Sequence, residues 1–158
     1  MHDYNETLYQ ELPKEIIDSF CGVGNPFLPD TSKNKSLLDI GCGSGLDMII
    51  ASKTLGKTAK IYGVDLNAEM VKLANNNFKR LGLKNCRALT SKDEVLPFAD
   101  NSFDLVISNG VFNLSLQKTL LFAEVFRVLK PQGKLQFADI VLRKKLPTEM
   151  KGAAAWSN

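Results

Sequence analysis

Histidine is almost missing from this chain; the single one, His2, stands beside the free N terminus, where side chains are seldom held in place. Mechanisms built on a histidine base, a Ser–His pair or histidine metal ligands therefore lack their main ingredient. Cysteine is sparse as well, since Cys21, Cys42 and Cys86 lie far apart with no CxxC pair, which argues against a disulfide framework or a cysteine-rich zinc site. No sign of charge dominates. Twenty Lys and Arg face 17 Asp and Glu, for a net charge of +3, too even a balance to imply nucleic acid or an acidic membrane as partner. No apolar run approaches the ~18 residues of a membrane span, and the opening MHDYNETLYQ has neither a basic leader nor an apolar signal core. The expected location is the cytoplasm. What remains is 158 residues, 44% of them hydrophobic, enough for one domain that buries most of its surface. A small-molecule partner is favoured.

Apolar runs and helical periods alternate from about position 36 onward, the βαβ pattern of a doubly wound α/β domain. Before it, residues 5 to 19 read as an amphipathic helix through Leu8, Leu12, Ile16 and Phe20, with Pro13 able to break or kink it. The Gly-, Pro- and Asn-rich stretch CGVGNPFLPDTSKNK then reads as an irregular loop. SLLDIG is a buried first strand, followed by a helix carrying Leu46, Ile49 and Ile50 and stopped at Gly56. KIYGVDL is the second strand, and Asn67 caps a helix whose stripe is Met70, Ala74, Phe78 and Leu81, ending at Gly82. A third strand is expected near 85–89 and a fourth in SFDLVIS, with a polar loop between them. A helix starting near Ser115 carries Leu121, Val125 and Val128, is ended by LysProGlnGly at 130–133, and leads into a fifth strand, KLQFADIVL. The tail KKLPTEMKGAAAWSN reads as a loop entering another helix. The division expected is an N-terminal helix and lead-in loop over 1–35 and a cofactor-binding unit over 36–158, together one globular domain.

The most informative segment is DIGCGSG, Asp39 to Gly45, which joins the first strand to the first helix with Gly41, Gly43 and Gly45 at alternate positions. Glycine allows close backbone approach, and the helix start directs unpaired amides and a positive dipole end to the same place. An acceptor-rich, nucleotide-like ligand suits it, although a tight turn without a ligand has the same spelling. Asp65 ends the second strand, where parallel-sheet geometry sets it beside the glycine loop and a carboxylate can accept both hydroxyls of a ribose. The alternative role for Asp65 is to cap the next helix, which Asn67 already does. Nicotinamide enzymes use the same ribose contact, but their GxGxxG fingerprint needs a third glycine where this chain has Leu46.

Through DIGCGSG, GVDL, LPFADNSFDLVIS and RVLKPQGKL, in that order over about residues 36 to 142, the chain resembles the class I S-adenosylmethionine-dependent methyltransferases, and within them a type 11 methyltransferase domain. A closer likeness, to the arsenite methyltransferase branch, rests on FCGVGNPF before the first strand, SNGVFNLS after the fourth, and LPTEM leading toward a tryptophan. That branch carries thiols where this chain has Val23 and Gly110, and here Cys21 stands two places before Val23. The likeness thus suggests a subfamily without assigning arsenite as substrate.

The resemblance implies a Rossmann-like, doubly wound, mainly parallel sheet with helices on both faces, whose pattern stops after the fifth strand. It implies S-adenosyl-L-methionine as cofactor and a small-molecule methyl acceptor. Asp39 would orient the methionyl end, while Gly41, Cys42, Gly43 and Gly45 would line the cofactor. Asp65 and Leu66 would hold ribose and adenine, with Met70 left to the core. The acid at the adenine edge is taken as Asp93, one place from the family's usual position at Lys92. Ser108 and Asn109 would stand where donor and acceptor meet. No catalytic base is assigned, because an in-line displacement that releases a neutral thioether demands alignment more than proton transfer, and with histidine and clustered cysteine lacking no metal is expected. Two other readings stay open: a cofactor-binding or partner module without turnover, which could complete its sheet as a homodimer, and a nicotinamide oxidoreductase.

Overall fold

A computed structural model describes residues 12–28, 31 and 35–141. A short helix α1 (Lys14–Asp18) precedes β1 (Ser36–Ile40), α2 (Leu46–Leu55), β2 (Lys60–Asp65), α3 (Ala68–Arg80), β3 (Cys86–Thr90), β4 (Phe103–Asn109), α4 (Lys118–Val128) and β5 (Leu129–Ala138). The five strands form one sheet in the order β3-β2-β1-β4-β5, and every pairing is parallel. The order reverses between β1 and β4, so a crevice opens beyond the carboxyl ends of those strands, where open α/β sheets place their ligands.

β1 is buried along its whole length, as a central parallel strand covered on both faces must be. Leu37, Leu105 and Ile107 face a cluster that includes Leu46, Ile49, Ala74 and Phe78 of α2 and α3. Leu38, Ile40 and Val106 face Leu121, Val125 and Val128 of α4. Seven consecutive residues of α2, Leu46–Ser52, are buried, since the first cluster also takes in Leu12 and Ile16. The stripe of α3 is Val71, Ala74, Asn77 and Phe78, so Met70 sits at its margin. Asn67 caps α3 by accepting the Glu69 N–H at 2.9 Å, and Gly56 and Gly82 follow α2 and α3 with positive φ, as expected for helix stops.

Pro13, extended at φ −58°, ψ 136°, breaks the helix expected over 5–19, as residues before a proline are pushed out of helical geometry, and α1 follows it from Lys14; the expected part over 5–11 lies outside the described residues, as does the tail from 142. Two expectations need correction. α4 starts at Lys118 because Ser115 is engaged in a turn in which its Oγ accepts the Gln117 N–H at 3.2 Å. β5 starts at Leu129, directly after α4. The register jumps from Phe103↔Leu129 to Leu105↔Lys134, and Gln132 at φ 66° absorbs the extra residues of LysProGlnGly as a bulge inside the strand.

Candidate functional site

The glycine loop is built from the main chain outward. The Gly41 and Cys42 N–H groups both donate to the Val64 carbonyl, at 2.8 and 3.0 Å, tying the end of β1 to that of β2. Gly41, at φ 73°, could not carry a side chain, for a Cβ there would stand 2.2 Å from Val111 Cγ2. Gly43 faces open space. Gly45 instead lets two helices approach, since its Cα packs on α3, where an added Cβ would meet Phe78 at 2.6 Å. This close approach is the packing role that the dinucleotide fingerprint gives to its third glycine, so Leu46 is free to enter the core at 1% exposure.

Asp65 completes the loop. Its Oδ2 accepts the Gly43 N–H at 2.8 Å and its Oδ1 the Asn67 N–H at 2.9 Å. One carboxylate thus fixes both the glycine turn and the start of α3, and each oxygen keeps acceptor capacity toward the crevice. Asp39, on β1, is 2% exposed. Burial, and after it the negative charges of Asp47 and Asp65, hold its carboxyl well above the ordinary carboxylate range. Three acids so close together favour a ligand that brings positive charge. Cys42 is buried, and desolvation, followed by Asp39 and Asp65, pushes its thiol far up. A thiol so held is a poor nucleophile.

A cavity of about 480 Å³ opens here, walled by Ile40, Gly41, Val64, Asp65 and Leu66, by Ser91, Asp93, Glu94 and Leu96, and by Val111, Leu114, Ser115, Leu116, Gln117 and Leu121. Gly41, Asp65, Leu66 and Asp93 come together on it. Asp39, Cys42, Gly43, Gly45, Ser108 and Asn109 do not line it. Asp93 turns Oδ1 back to the Val95 N–H at 2.8 Å, while Lys92 is exposed and off the wall. The Ser108 side chain is fully buried and donates to the Ile40 carbonyl at 3.1 Å, bracing β4 on β1. Asn109 is occupied by the N-terminal segment.

Sequence reasoning missed most of the outer wall. Glu94 accepts from Ser115 Oγ at 2.9 Å, joining the two loops that face each other across the cavity. Arg127 of α4 holds the loop behind Glu94 in place: Nη2 donates to the Leu96 carbonyl at 3.0 Å, Nη1 to that of Phe98 at 2.7 Å, and Nε to Glu124 Oε1 at 2.7 Å. Glu124 in turn accepts the Leu96 N–H at 2.9 Å. Neither loop has a hydrophobic period, the signal on which the strands and helices were found.

Among the described residues no group of three or more His, Cys, Asp and Glu could hold a metal ion, and no helix is long and apolar enough to cross a membrane. A parallel sheet of order 3-2-1-4-5 with a glycine loop and a strand-end acid at its switch point defines a nucleoside-binding doubly wound domain. Residues 31–157 match the methyltransferase domain family, and the chain belongs to it. It is 35% identical over 138 residues to the arsenite methyltransferase of Aquipseudomonas alcaligenes, a match that covers 83% of this chain and 39% of the relative. Similarity to the demethylmenaquinone methyltransferase of Geobacillus stearothermophilus is 36% over 105 residues, 66% of this chain and 44% of that one. The crystal structure of an arsenic(III) S-adenosylmethionine methyltransferase from Chlamydomonas reinhardtii superimposes with a TM-score of 0.82 at 32% identity, covering 92% of this chain and 51% of the other. The fold is that of the S-adenosylmethionine-dependent methyltransferases, close to the arsenite branch. The chain spans about half or less of the length of these relatives.

Proposed function

We propose that the crevice binds S-adenosyl-L-methionine and that the protein transfers its methyl group to a small-molecule acceptor. The observation that carries this reading is Asp65, whose carboxylate holds the Gly43 and Asn67 amides and also lines the cavity. Its remaining acceptor positions suit the two ribose hydroxyls. Leu66, Leu96, Leu114 and Leu116 offer apolar surface for adenine, with Asp93 at the polar edge. Gly41 and Gly43 admit the ligand against bare main chain, and Cys42 and Gly45 shape the turn without touching it. Asp39, buried off the cavity wall, orients the methionyl end through the glycine loop or a water rather than by direct contact.

When bound, the cofactor supplies a methyl group on a positively charged sulfur that departs as a neutral thioether. The chain's own contribution is to align the two reactants and keep water out, worth several kcal/mol of barrier when the geometry is close to that of attack. No proton transfer by the protein is required for an acceptor that is already nucleophilic. Val23 and Gly110, where the arsenite branch carries thiols, adjoin each other: a Cβ on Gly110 would lie 3.4 Å from Val23 Cγ1. This chain therefore offers a soft metalloid no thiolate at those two positions, and an organic acceptor suits it better. The balanced charge supports a cytoplasmic enzyme that engages neither nucleic acid nor membrane, and the outer edge of β5, unpaired among the described residues, is compatible with a homodimer.

Calorimetric titration with S-adenosylhomocysteine tests the proposal. Saturable binding is expected. A flat trace at millimolar ligand would overturn both the cofactor assignment and the activity built on it, whereas binding without methyl transfer to any acceptor would favour the non-catalytic module.

A further inference from the structure

One buried side chain near the switch point has every polar atom committed to a segment far away in sequence. The Asn109 amide, 8% exposed at the end of β4, accepts the Val23 N–H at 2.8 Å and the Gly24 N–H at 3.2 Å through Oδ1. Through Nδ2 it donates to the Gly24 carbonyl at 2.7 Å and to Asp47 Oδ2, on the first turn of α2, at 3.1 Å. Two acceptor and two donor positions exhaust what an asparagine can offer. A second tie lies close by, where Ser19 Oγ meets Ser44 Oγ of the glycine loop at 2.8 Å. The segment is seated tightly, for a Cβ on Gly22 would stand 2.6 Å from Asn109 Nδ2.

These contacts fall on one side of the crevice. Asp65 and Leu66, at the end of β2, mark the ribose and adenine side. Asn109, on β4 and bonded to Asp47, lies across β1 from them, on the side left for the reactive end of the ligand. A polar side chain meant to touch substrate would keep a donor or acceptor free, and this one keeps none. Resting on the cofactor reading above, the geometry points to Asn109 as a positioning residue that clamps segment 22–24 into place as the wall of the methyl-transfer end, so that the acceptor is met by main chain of the N-terminal segment. Asp47 holds the clamp from the opposite side.

Amide hydrogen exchange, read together with ligand affinity, tests this on the full chain. In the wild-type protein the Val23 and Gly24 amides exchange at least tenfold more slowly than unprotected peptide. The Asn109→Ala variant loses that protection, while the Gly43 amide, held by Asp65, keeps its own. In Asn109→Asp both donors are lost and a negative charge is set against Asp47; adding Asp47→Asn supplies a donor again and restores at least half of the lost protection. A merely destabilised fold would show no such rescue. For Asn109→Ala the ratio of affinities for S-adenosylmethionine over S-adenosylhomocysteine falls threefold or more, because only the methyl-bearing end meets the segment. Unprotected Val23 and Gly24 amides in the wild type would overturn the clamp, and this holds even if the variants fail to fold. An unchanged affinity ratio in a folded Asn109→Ala would overturn the placement of the wall. If neither ligand binds the wild type, the cofactor reading fails, and the exchange data still decide whether the clamp exists.

Discussion

Replacing Asp65 by alanine tests the ligand reading at the residue that carries it, with folding checked separately because the same carboxylate holds the Gly43 and Asn67 amides. An ionised carboxylate offers about four acceptor positions, of which the Gly43 and Asn67 amides occupy two at 2.8 and 2.9 Å. The other two are left for a pair of ribose hydroxyls. Hydrogen bonds to a charged group contribute about 1.5 to 3 kcal/mol each, but the hydroxyls regain water when the carboxylate is removed. The net loss expected for Asp65→Ala is therefore about 1 to 3 kcal/mol, or roughly 5- to 150-fold in the dissociation constant. Part of it reflects the Gly43 amide, no longer held in the turn. Asp65→Asn should not rescue binding, because its NH₂ must confront one of the two backbone N–H groups as donor against donor. Isothermal titration with S-adenosylhomocysteine measures both variants, with circular dichroism to confirm folding. An affinity within twofold of wild type in folded Asp65→Ala would remove this residue from the site.

Other consequences can be measured without any ligand. The Asp39 carboxyl is raised by burial first, then by Asp47 and Asp65, so the folded chain binds more protons than the unfolded one from the ordinary carboxylate pKa up to the raised value. Stability contributed by this group falls as pH increases across that window. Asp39→Asn should accordingly raise the melting temperature at pH 7 by roughly 2 to 4 °C, the shift that ~1 kcal/mol brings at this size; an unchanged or lower value contradicts the argument. Asp104 is the opposite case. Desolvation pushes it up, but hydrogen bonds from Lys130 and Ser36, and then from the Lys35 and Ser36 amides, bring it down to about 2. Its contribution is complete above the unfolded value near 4 and is lost as pH falls toward 2. Because the pair is partly exposed, urea melts of Asp104→Asn should show a loss of about 1 to 2 kcal/mol at pH 7 that narrows toward zero at pH 2. An equal loss at both pH values would refute this assignment. Thiol labelling under native conditions should modify exposed Cys21 first. Cys86, raised by burial to about 11 against a hydrogen bond from Ser52, and the buried Cys42 should react only on unfolding, and equal rates for all three would contradict their placement.

The parts of the fold set by short-range rules were legible in the amino-acid order. β1 and β4 are mainly apolar runs, interrupted by Asp39 and Asp104, and Asn67, Gly56 and Gly82 mark helix limits in the places their chemistry requires. The meeting of Gly41 with Asp65 was legible for a related reason: successive parallel strands bring their carboxyl ends together. Proline was read well once and badly once. Pro13, weighed as a break or a kink, is a break that precedes α1, while Pro131 and Gly133 were read as separating helix from strand but form a bulge within β5. The cavity's outer wall could not be found in this way, because Glu94 meets Ser115 and Arg127 holds the Leu96 and Phe98 carbonyls across long separations that no local period encodes. Asn109 shows the same limit. At the end of a strand it resembles a polar stop or a ligand contact, and only the three-dimensional fold reveals that Val23 and Gly24 claim its amide.

Soaking crystals of the protein with S-adenosylhomocysteine tests the central claim most directly. The account predicts density for the whole nucleoside in the cleft beyond β1 and β2, with both ribose hydroxyls hydrogen-bonded to Asp65 and the adenine between Leu66 and the loop bearing Asp93. Density for the compound at any other place, or a cleft closed by the leucines of the 111–117 loop with the compound bound nowhere, would contradict it.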